Sequence, residues 1–341
     1  MSRPFFAARL EHWINLNRNE RVRGRGWTEE VVPYTGYGSS KFVRVLARVL
    51  LTPDETTPGF EWYDSTLLSQ RGWRNFVNIP AVNVEVFVTI EGERFCLETD
   101  RGGYIDQRVR VMGLEPGWHT VEITSGSSTV TAPIMVVDPD QEYGLVSDID
   151  DTIISTFLPR PMLAAWNTFV LEESARQSVP GMAEMYRAIM ADHPQAPLVY
   201  VSTGAWNTAP TLNRFLQHHG FPRGPMLLTD WGPTNSGWFR SGQEHKKTCL
   251  RDLAIDFPKI KWILVGDDGQ HDPTLYSEFA ESHPDRVSAI ALRQLTPGEQ
   301  VLAHGTLGSL ESPGVVNVDI PEVRAPDGHS LWPLLKRALN R

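Results

Sequence analysis

The sequence predicts an all-β domain followed by an α/β domain with a mostly parallel sheet, and two observations lead to this prediction. Between residues 41 and 138, apolar residues alternate with polar ones in a period of two, which is typical of half-buried strands. The clearest alternation runs through Val82, Val84, Val86, Val88 and Ile90. From residue 140 to 341, short apolar runs alternate with helical patterns, as in a parallel α/β sheet.

Turn residues divide the first of these domains into several short strands, as in a β-sandwich. Two of its stretches, TDRGGYI at 99–105 and LEPGWHTVEI at 114–123, are similar to small transthyretin-like or immunoglobulin-like modules. We interpret 41–138 as a sandwich-like scaffold without chemistry of its own.

Residues 1–40 are interpreted as an N-terminal helical leader. Apolar residues at helical spacing predict an amphipathic helix over 4–16, and four arginines follow between residues 18 and 25. The apolar positions are Phe6, Leu10, Trp13 and Ile14. Such a segment can lie on an acidic membrane, but we favour a helix packed on a domain because Glu11 and Glu20 dilute the positive charge. The stretch 33–38 is expected to be a loop.

Composition limits the classes of protein to consider. The 341 residues carry a net charge of −9, which argues against general nucleic-acid binding. No apolar run reaches the ~18 residues of a membrane span. We expect no signal peptide, because residues 1–6 lack an apolar core followed by a small-residue cleavage site. Cys96 and Cys249 fall in different predicted domains, so we expect free thiols and a reducing compartment such as the cytoplasm. The sequence assigns no oligomeric state.

The α/β domain is organised around the stretch 144–154. Leu145 and Val146 lead into Asp148, Asp150 and Asp151, and clustered carboxylates repel one another unless a cation or a reacting group lies between them. A polar turn is the simpler alternative for this stretch taken alone. A helix–loop–helix calcium site is excluded, because its glycine and glutamate positions are occupied by Ile153 and Pro159.

Three further motifs follow in order, and together the four resemble a known enzyme family. SDIDDT at 147–152 is followed by VSTGAWN at 201–207, HKK at 245–247 and GDDGQHDP at 266–273. This series resembles the haloacid dehalogenase superfamily of phosphotransferases and, more narrowly, the actin-patch-protein phosphatidate phosphatases, which are related to the lipins. The resemblance implies a haloacid dehalogenase-like, Rossmann-type catalytic domain. In such sheets ligands bind at the carboxyl ends of the strands.

The resemblance also implies roles for individual residues. Asp148 would attack phosphorus and form an aspartyl-phosphate, while Asp150 would act as general acid and then as general base. Ser202, with Thr203 and Gly204, would bind the phosphoryl group. Lys246 would offset charge on the phosphate and on Asp148, and Lys247 is the alternative. Arg293 would meet a substrate anion.

A magnesium ion is the cofactor that the resemblance implies. Its ligands would be Asp148, the main chain of Asp150, Asp267 and a second acid of the last motif. Asp272 is our first choice for that second acid, and Asp268 remains the alternative.

The sequence therefore predicts a magnesium-dependent phosphomonoesterase, with phosphatidate as the substrate that the resemblance implies. A lipid substrate brings with it the expectation of peripheral membrane contact, for which Trp166, Trp206, Trp231 and Trp238 are further candidates. The alternatives are a phosphatase of a soluble ester and a non-enzymatic membrane or cytoskeletal adaptor. The intact acid pair argues against the adaptor.

Overall fold

The computed structural model describes residues 6–53, 79–155, 177–229, 242–269, 271–304 and 319–340, and the side chains of 13–300 and 319–340 within these ranges. The chain divides into two compact units, with the boundary between Val136 and Val137. Trp166, Trp231 and Trp238 lie outside the described residues.

In the part of the first unit that the structure describes, there are helix α1 and nine strands in one hydrogen-bonded sheet. Their bounds are α1 Phe6–Arg23, β1 Thr28–Pro33, β2 Gly36–Ser39, β3 Phe42–Thr52, β4 Ile79–Pro80, β5 Glu85–Ile90, β6 Glu93–Glu98, β7 Tyr104–Arg110, β8 Gly117–Ser125 and β9 Ser128–Val137. The strand order is β1-β3-β2-β9-β8-β5-β6, and β4 and β7 also pair with β3. The first unit is therefore rich in β-structure. The packing of two separate sheets, as in a β-sandwich, stays a prediction.

Alternating valines form the core of this unit, as their spacing predicts. Val86, Val88 and Ile90 on β5 are buried, and they belong to one cluster with residues of β3, β7, β8 and β9. Glu85, Phe87 and Thr89 between them are less buried. This alternation is the expected pattern for a strand with one face on the core.

Two strands occupy the end of the predicted leader, so the prediction of a loop over 33–38 is wrong. Strand β1 pairs with β3 up to Pro33, and β2 pairs with β3 from Tyr37. Gly36 and Gly38 suggested a loop, but here they allow close backbone approach. An added Cβ would lie 2.4 Å from the Arg44 carbonyl oxygen and 2.2 Å from that of Phe42, respectively.

Helix α1 packs on the rest of the first unit through polar side chains. Buried Asn19 donates from Nδ2 to the Pro80 carbonyl at 2.7 Å, and its Oδ1 accepts from the Val82 amide at 2.9 Å. Trp13 and Ile14, two positions of the predicted apolar face, are instead 63% and 40% exposed. Packing therefore uses asparagines that satisfy backbone groups of the sheet. Among the described helices, none has both the length and the apolar character needed to cross a bilayer.

The second unit is built on six parallel strands. Their bounds are β10 Tyr143–Asp148, β13 Leu198–Ala205, β14 Met226–Thr229, β15 Lys261–Asp267, β16 Val287–Arg293 and β17 Glu322–Ala325. The order is β14-β13-β10-β15-β16-β17, with β10 between β13 and β15. A short antiparallel pair, β11 Ile154–Ser155 and β12 Gln177–Ser178, stands apart from this sheet. The mixed α/β architecture with a parallel sheet is therefore confirmed.

Among the described residues of this unit, six α-helices connect or follow these strands. They are α2 Met182–Asp192, α3 Ala209–His218, α4 Gly242–Asp256, α5 Asp272–Ser282, α6 Pro297–His304 and α7 Gly328–Leu339. On α2 the methionine-rich stripe is core, since Met182, Met185, Tyr186 and Ile189 are buried. Strand β17 was not predicted, because Glu322 and Arg324 give a short edge strand no apolar alternation.

Candidate active site

Three neighbouring strands of the second unit carry polar residues at the same edge of the sheet. Asp148 is the last residue of β10 and is in register with Val201, the residue before Ser202 on β13. Strand β15 pairs in parallel with the other side of β10 and ends at Asp267. Parallel pairing brings these strand ends together, so motifs far apart in sequence meet in one place.

Asp148 is nearly inaccessible to solvent and touches a lysine. Its Oδ1 lies 2.7 Å from Lys246 Nζ, and its Oδ2 accepts a hydrogen bond from Thr152 Oγ1 at 3.2 Å. Lys246 lies in the second turn of α4. Its Nζ atom is also 2.6 Å from Asp272 Oδ1. One ammonium group therefore bridges two buried carboxylates.

The neighbouring lysine does not take part in this arrangement. Lys247 pairs with Glu278 at 2.7 Å, and both side chains are about half exposed. Of the two lysines considered from sequence, the structure places Lys246 against Asp148.

Asp150 lies beyond the end of β10 and is held by a hydroxyl group. Ser202 Oγ donates to Asp150 Oδ2 at 2.8 Å and accepts from the Gly204 amide at 2.9 Å. The side chain of Thr203 is exposed, and its carbonyl accepts from Thr229 Oγ1 at 2.9 Å. Ser202 thus positions a carboxylate two residues from Asp148, with Thr203 at the surface.

Three carboxylates converge closely enough to hold one metal ion. Asp148, Asp267 and Asp272 are all buried, and one ligand oxygen from each lies within 4.8 Å of the others. Asp272 Oδ2 has no hydrogen-bond partner among the described residues. An all-oxygen donor set with an unsatisfied buried oxygen fits a hard divalent cation such as Mg²⁺.

The other candidate acid of the last motif is used differently. Asp268 Oδ1 accepts a hydrogen bond from the Leu295 amide at 2.8 Å, and its own amide donates to the Arg293 carbonyl. Of the two acids left open by the sequence, Asp272 is the one whose carboxylate meets Asp148 and Asp267. The Asp150 carboxylate is not part of this cluster, and the contact of its main chain with a metal stays a prediction.

Burial and the charges of neighbouring groups shift the pKa values of the clustered side chains. Burial, followed by the nearby Asp272 and Asp150 carboxylates, raises the pKa of Asp148 well above its ordinary value, while Lys246 opposes this shift. Burial, Asp272 and Asp148 likewise raise the pKa of Asp267. Burial acts to lower the pKa of Lys246, but the surrounding carboxylates outweigh it and raise that pKa. The cluster therefore has an excess of negative charge that a bound cation would relieve.

Small residues make room for these carboxylates. A Cβ added at Gly266 would lie 2.5 Å from Asp272 Oδ2 and 2.8 Å from Tyr276 Cε2. A Cβ at Gly269 would lie 2.9 Å from Asp267 Oδ1. The glycines of the last motif thus allow Asp267 and Asp272 to approach the backbone.

The contact of Arg293 with a substrate anion stays a prediction, and the structure shows the contacts that this arginine makes within the protein. All three of its guanidinium nitrogens are engaged there. They contact the carbonyls of Pro326 and Asp151 and the carboxylate of Glu299, and Arg293 is buried. The position of Arg293 at a strand end suggested a ligand contact. The motifs gave no sign of its buried partner, Glu299.

Sequence reasoning missed two residues beside this arginine, Glu299 and Ser155. Ser155 Oγ donates to Glu299 Oε1 at 2.9 Å. A signal for Glu299 existed, because Thr296 and Glu299 have the spacing of a capping box at the start of α6. No signal marked Ser155.

Comparison with known proteins agrees with the four motifs. Residues 143–294 match the family model described as phosphatidate phosphatase APP1, catalytic domain. The chain is 30% identical over 164 residues to phosphatidate phosphatase APP1 of Saccharomyces cerevisiae, which covers 48% of this chain and 27% of that protein. It is 25% identical over 302 residues to an uncharacterized protein of Schizosaccharomyces pombe, covering 83% of this chain and 49% of that protein. The chain thus spans half or less of the length of these relatives.

Two solved structures show weaker similarity. A protein of Thermotoga maritima, provisionally titled a beta-phosphoglucomutase, has a TM-score of 0.33 at 12% identity, covering 57% of this chain and 99% of that one. A carbohydrate acetylesterase of Xanthomonas citri has a TM-score of 0.28 at 9% identity, covering 82% of this chain and 73% of that one. Neither likeness bears on function.

The shared lysine makes a prediction that can be tested on stability. Lys246→Met should leave the buried carboxylates of Asp148 and Asp272 without their cation, which costs about 3–5 kcal/mol. Lys247→Met, the adjacent control, should change stability by less than about 0.5 kcal/mol because that lysine is exposed. Urea unfolding in the presence of a chelator measures both, and equal effects would contradict the assigned geometry.

The match of residues 143–294 to the model of the phosphatidate phosphatase APP1 catalytic domain confirms the resemblance inferred from the four motifs.

Proposed function

We propose that this protein is a phosphoric monoester hydrolase that uses Asp148 as a nucleophile and acts on phosphatidate. The observation that supports the chemistry most directly is the contact of buried Asp148 with Lys246, two residues before the Ser202-bound Asp150. A buried carboxylate beside a cation, with a second carboxylate two residues away, provides a nucleophile and a separate proton carrier.

In the first half-reaction a carboxylate oxygen of Asp148 bonds to phosphorus. The bond between phosphorus and the leaving oxygen breaks, and that oxygen takes a proton from the carboxyl group of Asp150. Lys246 stabilises the negative charge of the phosphoryl group because its ammonium lies at the attacking carboxylate. The products are the alcohol and a phosphoryl group carried on Asp148.

In the second half-reaction water bonds to the same phosphorus atom. Asp150 accepts a proton from this water, and the bond between phosphorus and the Asp148 oxygen breaks. Inorganic phosphate leaves, and both carboxyl groups return to their starting states. The hydrogen bond from Ser202 to Asp150 fixes the oxygen that gives and takes the proton.

We further propose that Asp148, Asp267 and Asp272 hold Mg²⁺, with the Asp150 main chain as an additional ligand. When bound, the ion would neutralise charge on the carboxylates and the phosphate. The convergence of three buried carboxylates and the unpartnered Asp272 Oδ2 support this assignment.

Phosphatidate is the substrate that the family match favours, and it lies in a membrane. The chain's net charge of −9 opposes approach to an anionic bilayer, so attachment must be local. On α1, exposed Trp13 and Ile14 stand beside Arg18 and Arg21, which are also exposed. Apolar side chains beside arginines are suited to an anionic lipid surface, and we propose peripheral attachment there.

Phosphate release tests the proposed activity. Wild-type protein with Mg²⁺ should release phosphate from monoesters, and Asp148→Asn should lower this rate by at least about 1,000-fold, since it removes the nucleophile. Asp140→Asn, an exposed aspartate paired with Lys259, serves as the matched control and should retain the rate. A fully active Asp148→Asn variant would exclude this mechanism.

The role of Asp150 predicts a dependence on the leaving group. Asp150→Asn should lower the rate of alkyl phosphate hydrolysis by about 100-fold or more, because the leaving oxygen of these esters requires a proton. With an activated aryl phosphate, the rate of the first half-reaction should fall far less. This rate is measured from the burst of released phenol. Equal losses for both esters would instead indicate a structural or metal-site role.

Metal binding can be followed without turnover. Mn²⁺ titration by electron paramagnetic resonance should show one tight site in the wild type, and Asp267→Asn should weaken it by about 10-fold to 100-fold. Asp268→Asn is the matched control and should leave the affinity unchanged, because its carboxylate is engaged with Leu295. Full activity after exhaustive chelation would disprove the requirement for the ion.

The lipid substrate is tested by comparing vesicles with a soluble ester. An Arg18→Gln/Arg21→Gln variant should bind phosphatidate-containing vesicles about 30-fold less tightly, at about 1 kcal/mol per arginine, and should hydrolyse them more slowly. Its rate on a soluble aryl phosphate should not change, and Arg251→Gln provides an exposed arginine on α4 as control. Good turnover of soluble esters with none of phosphatidate would make the protein a soluble-ester phosphatase.

A further inference from the structure

A buried arginine connects the metal-binding strand ends to the loop that carries Asp150. The Arg293 backbone is in register with Asp267, and its carbonyl accepts from the Asp268 amide at 2.9 Å. Its side chain crosses to the first motif, where Nη1 donates to the Asp151 carbonyl at 2.7 Å. Arg293 thus contacts the residue that directly follows Asp150.

Glu299 fixes this arginine in place. Its Oε1 lies 2.6 Å from Arg293 Nη2 and also accepts from Ser155 Oγ at 2.9 Å. Its Oε2 accepts from the amide and the hydroxyl of Thr296, both at 2.9 Å. The pair is almost fully buried, with side-chain exposures of 7% and 4%. Arg293 and Glu299 therefore hold the loop at both Asp151 and Ser155.

The loop needs this support because of its backbone conformation. Asp151 has φ of 57°, in the left-handed region that costs a residue other than glycine energy unless its surroundings fix it. The conformation turns the Asp151 carbonyl toward Arg293, which supplies a charged donor. Losing that charged donor would make the turn less favourable.

We propose that Arg293 and Glu299 are positioning residues that set the proton-transfer geometry of Asp150. This inference rests on the proposed function. The two residues touch no reacting atom; they act through the Asp151 carbonyl and Ser155, and so determine where the chain places Asp150.

Asp150 depends on this contact more than Asp148 does. Asp148 is the last residue of β10 and is held by the strand ladder, by Lys246 and by Thr152. Asp150 lies outside the ladder and has Ser202 on one side and the Arg293-bound Asp151 on the other. A weakened contact at Arg293 should therefore impair proton transfer before it impairs nucleophilic attack.

Leaving-group dependence tests the proposal, with Arg293→Lys as the variant. Lysine keeps the charge but cannot contact Asp151 and Glu299 with a planar fork. For an alkyl phosphate kcat should fall about 10-fold to 100-fold with KM within about twofold, whereas the phenol burst with an aryl phosphate should change less than about threefold. Glu299→Gln, which keeps the side-chain shape, should shift the rates in the same direction.

Arg44→Lys is the matched control, since Arg44 is also buried and makes a two-point contact with a carboxylate, that of Asp106. It lies in the first unit, so it should lower stability without changing the leaving-group dependence. If Arg293→Lys and Glu299→Gln slow both esters equally, or only lower stability as Arg44→Lys does, the positioning role is overturned.

Hydrogen exchange separates this inference from the proposed function. The Ile153 and Ile154 amides both donate to the Ile149 carbonyl and report on closure of the loop. Their exchange should accelerate about 10-fold in Arg293→Lys and should not change in Arg44→Lys. If the wild type hydrolyses no phosphoester, the proposed function fails, and amide exchange alone tests the role of Arg293 in holding the loop. Faster exchange in Arg293→Lys would support that role, and unchanged exchange would refute it.

Discussion

Burial of three like charges around one lysine is the constraint on which the second unit depends. Asp148, Asp267 and Asp272 lie close together, out of solvent, and Lys246 reaches two of them. Such a cluster costs free energy unless cations balance it, so its presence points to a function rather than to stability. The raised pKa values of Asp148 and Asp267 express the same imbalance, and a divalent ion would reverse it.

The fold makes this concentration of charge possible by arranging its supports in layers. Apolar strands place the acids at one edge of a parallel sheet, glycines at 266 and 269 admit the carboxylates, and α4 supplies the lysine. Behind the acids, the buried pair of Arg293 and Glu299 connects the edge to the Asp150 loop. The positions of these acids therefore depend on polar contacts as well as on strand geometry.

Much of this arrangement could be predicted from sequence, and the exceptions have physical causes. Strand ends are readable because apolar runs stop at the acids, so Asp148, Ser202 and Asp267 could be placed together beforehand. Glu299 was missed because it lies in a different element from Arg293, and only tertiary structure shows that the two side chains are paired. In the first unit Trp13 fitted an apolar helical face, but buried asparagines determined how α1 packs. Local patterns show periodicity; they do not show which polar groups meet across the fold.

The central claim is that Asp148 carries the phosphoryl group during turnover. Borohydride reduction of acid-quenched enzyme, followed by peptide mass spectrometry, tests this directly, because an aspartyl-phosphate is reduced to homoserine whereas a free carboxylate is not. The account predicts homoserine at position 148 in enzyme quenched with an alkyl phosphate, and none without substrate. Steady turnover with no modification at position 148, or with homoserine at another aspartate, would contradict it.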